Sequence, residues 1–372
     1  MRILHVVSLV DPDGAFGGPL RVAMNQANAL RAAGHDVVVA AGARGWEGEL
    51  PTHFGDDPVT LFPAHQALPG TGFAGLVSPG LLAWLRRWAP TADVVHLHLA
   101  RDLVTLPAGR VLKALGVPYV AQTHGMIDAS DSPLVPPLDA ALTRPVLRGA
   151  RAVFALTELE RSDLEEVVPG LDGITVLHNG VPETSLRADP VGAREVLFLA
   201  RVAARKRPAV FVAAAQIAAR EHPEATFTVC GPDEGEGDVL RAALATDDAD
   251  GHITYEGAVA PEATLERMTR AAVYVLPAVE EPYGMTVVEA MSVGLPTVVM
   301  SDCGLAEAVR ETGGEVVTGL EAQPLADAMS RLLADPQRRA TAGAAGVAWV
   351  REHVTMESVV ERLVATYEAA TR

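Results

Sequence analysis

Apolar residues along the chain fall into short unbroken runs, many of them β-branched, separated by longer stretches in which apolar positions recur at helical spacing. That alternation is the signature of parallel βαβ units, whose strands are covered by helices on both faces and so carry no polar side. In the first half the runs predict strands at Ile3 to Leu9, Asp36 to Ala40, Val94 to Leu97, Tyr119 to Gln122, Ala152 to Ala155 and Ile174 to Leu177. Helices are expected between them. One spans Pro19 to Ala33 and stops before Gly34, a residue suited to a helix C-cap; Thr157 opens another, with Glu160 three residues on completing a capping box.

The pattern then restarts, predicting strands at Glu195 to Ala200, Thr226 to Cys230, Ile253 to Glu256, Val273 to Leu276, Thr297 to Met300 and Glu315 to Val317. Between the halves, Pro182 to Gly192 holds Pro182, Pro190 and Gly192 among mostly polar residues and reads as the linker. The expected domains are therefore 1–183 and 193–355. After about Gln323 three helical segments follow without a strand, and the last, Met356 to Ala370, is expected to pack back on the first domain. Arg44 to Pro79, rich in Gly, Pro and His, shows little periodicity and reads as a long loop suited to binding or gating.

Composition agrees with an α/β fold class in two domains: 372 residues exceed one ordinary core, and 49% hydrophobic against 21% charged residues describes a globular chain. The net charge of −17 argues against duplex nucleic acid or an anionic membrane held by a broad basic face. Cys230 and Cys303 are too far apart in sequence for metal-ligand spacing, and a reducing cytoplasm suits them. The run Met1 to Val10 is interrupted by His5 and Ser8 and reads as a buried strand, not a signal peptide. No run approaches the ~18 apolar residues of a membrane-spanning helix. The basic, amphipathic Trp84-Leu85-Arg86-Arg87-Trp88 leaves peripheral membrane contact open, with helix packing and snorkelling arginines as the default.

The residues able to do chemistry sit just after predicted strands, where open α/β sheets bind ligands. Gly17-Gly18 precede the first helix, so backbone N–H groups there can approach an anion. Arg201, Arg205, Lys206 and Arg207 crowd the end of the strand closing at Ala200, and so many cations in an acidic chain call for an anionic partner such as a diphosphate. Pro277 to Thr286 leads into an apolar helix, and the N–H groups of Gly284, Met285 and Thr286 would face a phosphate. On one helix, Glu281 and Glu289 would stand about 12 Å apart. Glycoside hydrolysis needs about 5 to 9.5 Å, so the two carboxylates suit separate hydroxyl clusters, a donor sugar and a ribose. His124 follows a strand and can meet a sugar hydroxyl, while His96 and His98 share a strand face without a matching carboxylate and make a weak metal site. Asp11-Pro12-Asp13 and Asp248-Ala249-Asp250 lie in turn-rich stretches and are discounted as metal ligands.

Taken in order, these motifs resemble the GT4 family of group 1 glycosyltransferases, with the GT-B architecture of two Rossmann-like domains facing a central cleft. Gly17-Gly18 with Arg21 is similar to the family's donor loop, His124-Gly125 to its cleft histidine, His178-Asn179-Gly180-Val181 to its interdomain Asn-Gly-Val, and Glu281 through Glu289 to Gly294-Leu295-Pro296 to its paired-glutamate signature. The resemblance implies that Arg201 and Lys206 neutralise the donor diphosphate, Glu281 touches the transferred sugar, Glu289 binds the ribose, and Gly284, Met285 and Thr286 supply phosphate amides. It implies a nucleotide-sugar donor, retention of configuration, neither metal nor other cofactor, and a glycan, lipid-linked or natural-product acceptor. Ala200 and Arg207 depart from the family's glycines, and Ala278 from a common serine. A nucleotide-sugar epimerase, a phosphorylase and a non-catalytic sugar-nucleotide binding protein are the alternatives; a phosphorylase would need a pyridoxal-phosphate lysine, for which the sequence has no convincing candidate.

Overall fold

The computed structural model describes residues 1–12, 17–54, 57–130, 132–246, 251–260 and 263–372. They form two compact units, Met1–Gly180 with Met356–Arg372, and Val181–Thr355.

The first unit carries a seven-stranded parallel sheet in the spatial order Ile174–Val176, Val153–Ala155, Tyr119–Gln122, Val94–His98, Arg2–Val10, Asp36–Ala43, Thr60–Pro63. The second carries six parallel strands in the order Ile253–Gly257, Thr226–Cys230, Glu195–Leu199, Val273–Leu276, Thr297–Met300, Glu315–Val317. In both units the chain starts in the middle, winds outward one way, returns and winds outward the other way. This is the doubly wound arrangement, whose reversal point lies between Arg2–Val10 and Val94–His98 in one unit and between Glu195–Leu199 and Val273–Leu276 in the other.

Burial explains the unbroken apolar runs. Along Arg2–Val10, Leu4, Val6 and Leu9 enter one core and Ile3, Val7 and Val10 the core on the opposite face. A strand covered on both sides has no solvent face to mark with polar residues. The helix Met356–Ala370 packs against the helix Gly17–Ala32 and sends Val359, Leu363 and Tyr367 into the second of these cores. The chain passes so close to it that a Cβ on Gly180 would lie 2.4 Å from the Met356 sulfur.

Two segments differ from the sequence reading. Within Arg44 to Pro79, Thr60–Pro63 is the edge strand of the first sheet, paired in register with Ala40 to Ala43. It is short, half-buried and flanked by proline, so it shows no period. The segment Pro182 to Gly192, expected as the linker, belongs to the second unit: Ala188 donates to the Val293 carbonyl at 2.8 Å, and Arg339 to the Pro190 carbonyl at 2.6 Å. Asp13 and Asp248 to Asp250 lie outside the described residues.

Candidate functional site

In the second unit, the two strands at the reversal point release the loops that hold the cationic cluster and the paired glutamates. Gly231, ending the neighbouring strand, has φ +147, and a Cβ there would fall 1.8 Å from the Ala200 carbonyl oxygen. Only glycine permits this approach. Ala200 N–H donates to the Cys230 carbonyl at 3.0 Å and Val202 N–H to the Pro232 carbonyl at 2.8 Å, so the backbone around Arg201 is held from both sides.

Each cation of the cluster has a partner. Arg201, with 45% of its side chain exposed, pairs with Glu234 at 2.8 Å. Arg205 donates to the Glu280 carbonyl at 2.9 Å and accepts from the Val279 N–H at 3.0 Å, stitching the two loops together. Lys206 is buried and ion-paired with the buried Glu281. Arg207 donates to the carbonyls of Leu320 and Pro277. Its φ of 55 lies in the left-handed region that favours glycine, the residue the family resemblance places there. The arginine thus keeps a glycine-like backbone, at a cost of order 1–3 kcal/mol, and its side-chain bonds hold it in place.

The glutamate loop is equally constrained. Glu280 has φ 49 and donates its N–H to Asp302 at 2.8 Å, while the Glu281 carbonyl accepts from Gly304 N–H at 2.8 Å. Gly284, at φ 80, caps the helix Met285–Ser292, whose first-turn amides have no acceptor within the helix. The Tyr274 hydroxyl, its pKa pushed far up by burial, bridges the Leu199 carbonyl (3.1 Å) and Thr286 Oγ1 (2.6 Å), tying both strand ends together. Glu289 is half-buried on that helix, whereas Glu281 lies in the loop before it, so the two do not share one helix. Arg201, Lys206, Glu281, Gly284, Met285, Thr286 and Glu289 all belong to this unit.

In the first unit, Gly17 begins the helix Gly17–Ala32, and nothing lies within 4 Å of where a Cβ on Gly18 would stand. At the reversal point Ser8 donates to Asp102, which also accepts from the amides of Val104 (2.8 Å) and Thr105 (2.6 Å) and so caps the helix Thr105–Leu115. His124 stands at φ 54 and Gly125 at φ 70, two left-handed residues in succession. Glu160 holds that turn. Its carboxylate accepts from Thr123 Oγ1, Gly125 N–H and Leu156 N–H, each at 2.5 Å. The Thr157 hydroxyl does cap Glu160 N–H at 3.2 Å, but the Glu160 side chain serves the His124 turn instead of completing the box at Thr157.

His124 is one of four buried histidines among the described residues. His5 sits opposite His96 in register on the adjacent strand, and the rings of His96 and His98 stack at 4.4 Å. Burial holds His5 and His124 down to about 3 and keeps His96 and His98 well below the ordinary range, so all are neutral near pH 7. His5, His96 and His98 can offer nitrogens within 4.8 Å of one another. Tetrahedral zinc, with bonds of ~2.0–2.1 Å, needs its nitrogens about 3.4 Å apart, and His96 Nδ1 is engaged by the Tyr367 hydroxyl at 2.6 Å. With His96 Nδ1 so engaged, the cluster forms a buried polar core.

In the basic segment, Trp84 packs on Phe62 at 5.5 Å and Arg87 lies 5.8 Å from the Trp88 ring, with Trp88 47% exposed. Among the described residues no helix is long and apolar enough to cross a membrane. Sequence reasoning missed Glu234, Asp302, Tyr274 and Asp102, and named Glu160 only as a cap. Glu234 and Asp302 reach their partners from other loops, and only strand order reveals that.

Two family descriptions match the chain: "Glycosyl transferase 4-like domain" over residues 17–180 and "Glycosyl transferases group 1" over residues 187–349. A glycogen synthase of Mycobacterium tuberculosis is 30% identical over 92% of this chain and 89% of its own length. A 2-deoxystreptamine glucosyltransferase of Streptomyces kanamyceticus is 28% identical, covering 80% of this chain and 84% of the relative. Among solved structures, HepE of Anabaena in complex with UDP superposes with TM-score 0.78 at 18% identity, over 99% of this chain and 100% of that one. A glycosyltransferase of Rickettsia africae gives 0.77 at 14% identity, over 100% and 98%.

Proposed function

The chain belongs to the group 1 glycosyltransferases and has their GT-B fold, and from that premise we propose a retaining, metal-independent hexosyl transfer from a nucleotide diphosphate sugar, UDP- or GDP-linked, to an acceptor hydroxyl. The observation that carries the reading is the convergence of Arg201, the Lys206–Glu281 pair and the amide-rich start of the helix Met285–Ser292 at the carboxyl ends of the second unit's central strands.

Leaving-group charge develops on the donor diphosphate as the glycosidic bond lengthens, and fixed cations lower that barrier most where the charge grows. Arg201 exchanges Glu234 for phosphate oxygens, which a guanidinium matches bidentately. Lys206, steered by Glu281, supplies a second charge already desolvated, and these two cations do the neutralising that a metal does elsewhere. The amides of Met285 and Thr286 receive a phosphate, Glu281 accepts from a hydroxyl of the transferred sugar, and Glu289 accepts from the ribose. His124 hydrogen-bonds a substrate hydroxyl. A donor phosphate oxygen takes the acceptor proton on the face the leaving group vacates, which retains the anomeric configuration. UDP as a partner of HepE, and glucosyl and glycosyl transfer in the names of the relatives, favour this donor class. A glycan, a lipid-linked intermediate or a natural product are the acceptor classes.

Incubation with UDP-, GDP- and ADP-sugars in excess chelator, following nucleotide release, is the test. Turnover of one donor, abolished in Arg201→Ala and Lys206→Ala, is expected. Unchanged turnover in both variants overturns the site, a requirement for divalent ions overturns metal independence, and an inverted anomer in the product overturns retention.

A further inference from the structure

The buried histidines form a directed chain. His5 lies on Arg2–Val10, His98 ends the adjacent strand Val94–His98, and His124 follows Tyr119–Gln122, the next strand along. His5 Nδ1 meets His98 Nε2 at 2.9 Å, and His98 Nδ1 meets His124 Nε2 at 2.8 Å. All three rings are at most 9% exposed.

A neutral imidazole has one donor and one acceptor nitrogen. Because His98 spends both nitrogens inside the chain, it must donate to one neighbour and accept from the other. Fixing a single proton therefore fixes the rest. In one state, Nδ1 is protonated on His5 and His98, and His124 carries its proton on Nδ1, the nitrogen outside the chain. In the other, every proton sits on Nε2 and His124 Nδ1 is bare.

The inner end decides between them. His5 Nε2 is buried without a hydrogen-bond partner among the described residues. The second state would put a proton on it, leaving an orphaned buried N–H, the rarer and costlier kind of unmet polar group. The first leaves only a lone pair there. Of the surrounding groups, burial and then Arg31 keep His5 neutral, as the one-donor, one-acceptor count requires, and His96, stacked on His98, is engaged by the Tyr367 hydroxyl.

We propose that His5 and His98 are positioning residues that lock His124 in its Nδ1–H tautomer, so that it presents a hydrogen-bond donor to an oxygen of the substrate. Acceptance of a hydroxyl proton at that nitrogen is thereby excluded. The proposal rests on the substrate role of His124 given above, and the two fail separately, because the tautomer is read without substrate.

Full-length protein labelled with 15N-histidine is the material, and the wild-type spectrum near pH 7 is the primary readout. His124 is expected to show a protonated Nδ1 and a pyridine-like Nε2. A protonated Nε2 on His124 overturns the proposal. His98→Leu is expected to release the tautomer and lower kcat at least tenfold, while His98→Asn, whose amide nitrogen stands where Nδ1 stood, restores both in part. An unchanged His124 spectrum in His98→Leu also overturns it. Unaltered turnover in His124→Ala would instead remove the substrate role.

Discussion

Glu160 is the strongest single hold on the turn that presents His124, and its removal has a calculable effect. Glu160→Ala strands the Thr123 hydroxyl and the amides of Gly125 and Leu156. Hydrogen bonds to an ionised acceptor contribute about 1.5–3 kcal/mol each. Gly125 is only half-buried, so water entering the vacated space recovers part of the sum, leaving about 4–6 kcal/mol. Relaxation of His124 from φ 54 returns about 1–3 kcal/mol. The net is about 1–5 kcal/mol of local stability, or roughly 5- to 4000-fold in an opening equilibrium. Amide hydrogen exchange reads that opening directly at Leu156 and Gly125, which should exchange faster by this factor while amides of the second unit do not change. Exchange within threefold of wild type would refute the reasoning.

Three other outcomes follow from the same geometry. Gly231→Ala places a methyl group against the Ala200 carbonyl and is expected to lower donor affinity and the thermal midpoint together, measured by calorimetry with and without nucleotide. Glu234→Gln removes the anion that competes for Arg201; exposed pairs contribute about 0.2–1 kcal/mol, so the KM for the donor should fall up to about fivefold with kcat little changed. Acid should destabilise the first unit: His5 and His124 are held near 3, so below the unfolded value of about 6.5 the unfolded chain binds protons the folded one refuses. Their contribution is complete above about pH 6.5 and drains away towards pH 3, which denaturant titrations at stepped pH will show as a falling midpoint.

The strands were legible because two-face burial writes continuous β-branched runs into a chain, and the glycine, cation and glutamate motifs were legible because they follow those runs. What escaped depends on which strands are neighbours. Glu234 and Asp302 read as ordinary loop carboxylates until the order of the second sheet brings them to Arg201 and Glu280. A histidine at position 5 inside an apolar strand means little until register sets it opposite His96. The Thr157/Glu160 spacing announced a cap, yet the glutamate side chain turned to the better-paid role of holding a strained turn elsewhere. Thr60–Pro63, at a sheet edge and bounded by proline, had too few residues to display any period.

The central claim is that the nucleotide diphosphate is seated at the carboxyl ends of the second unit's strands, on Arg201 and Lys206. A crystal structure of the protein with a turned-over nucleotide sugar tests it most directly. Diphosphate oxygens within hydrogen-bonding distance of both side chains and of the Met285 and Thr286 amides are predicted, with Glu234 released. A nucleotide bound elsewhere, with the Arg201–Glu234 pair intact, would contradict the account.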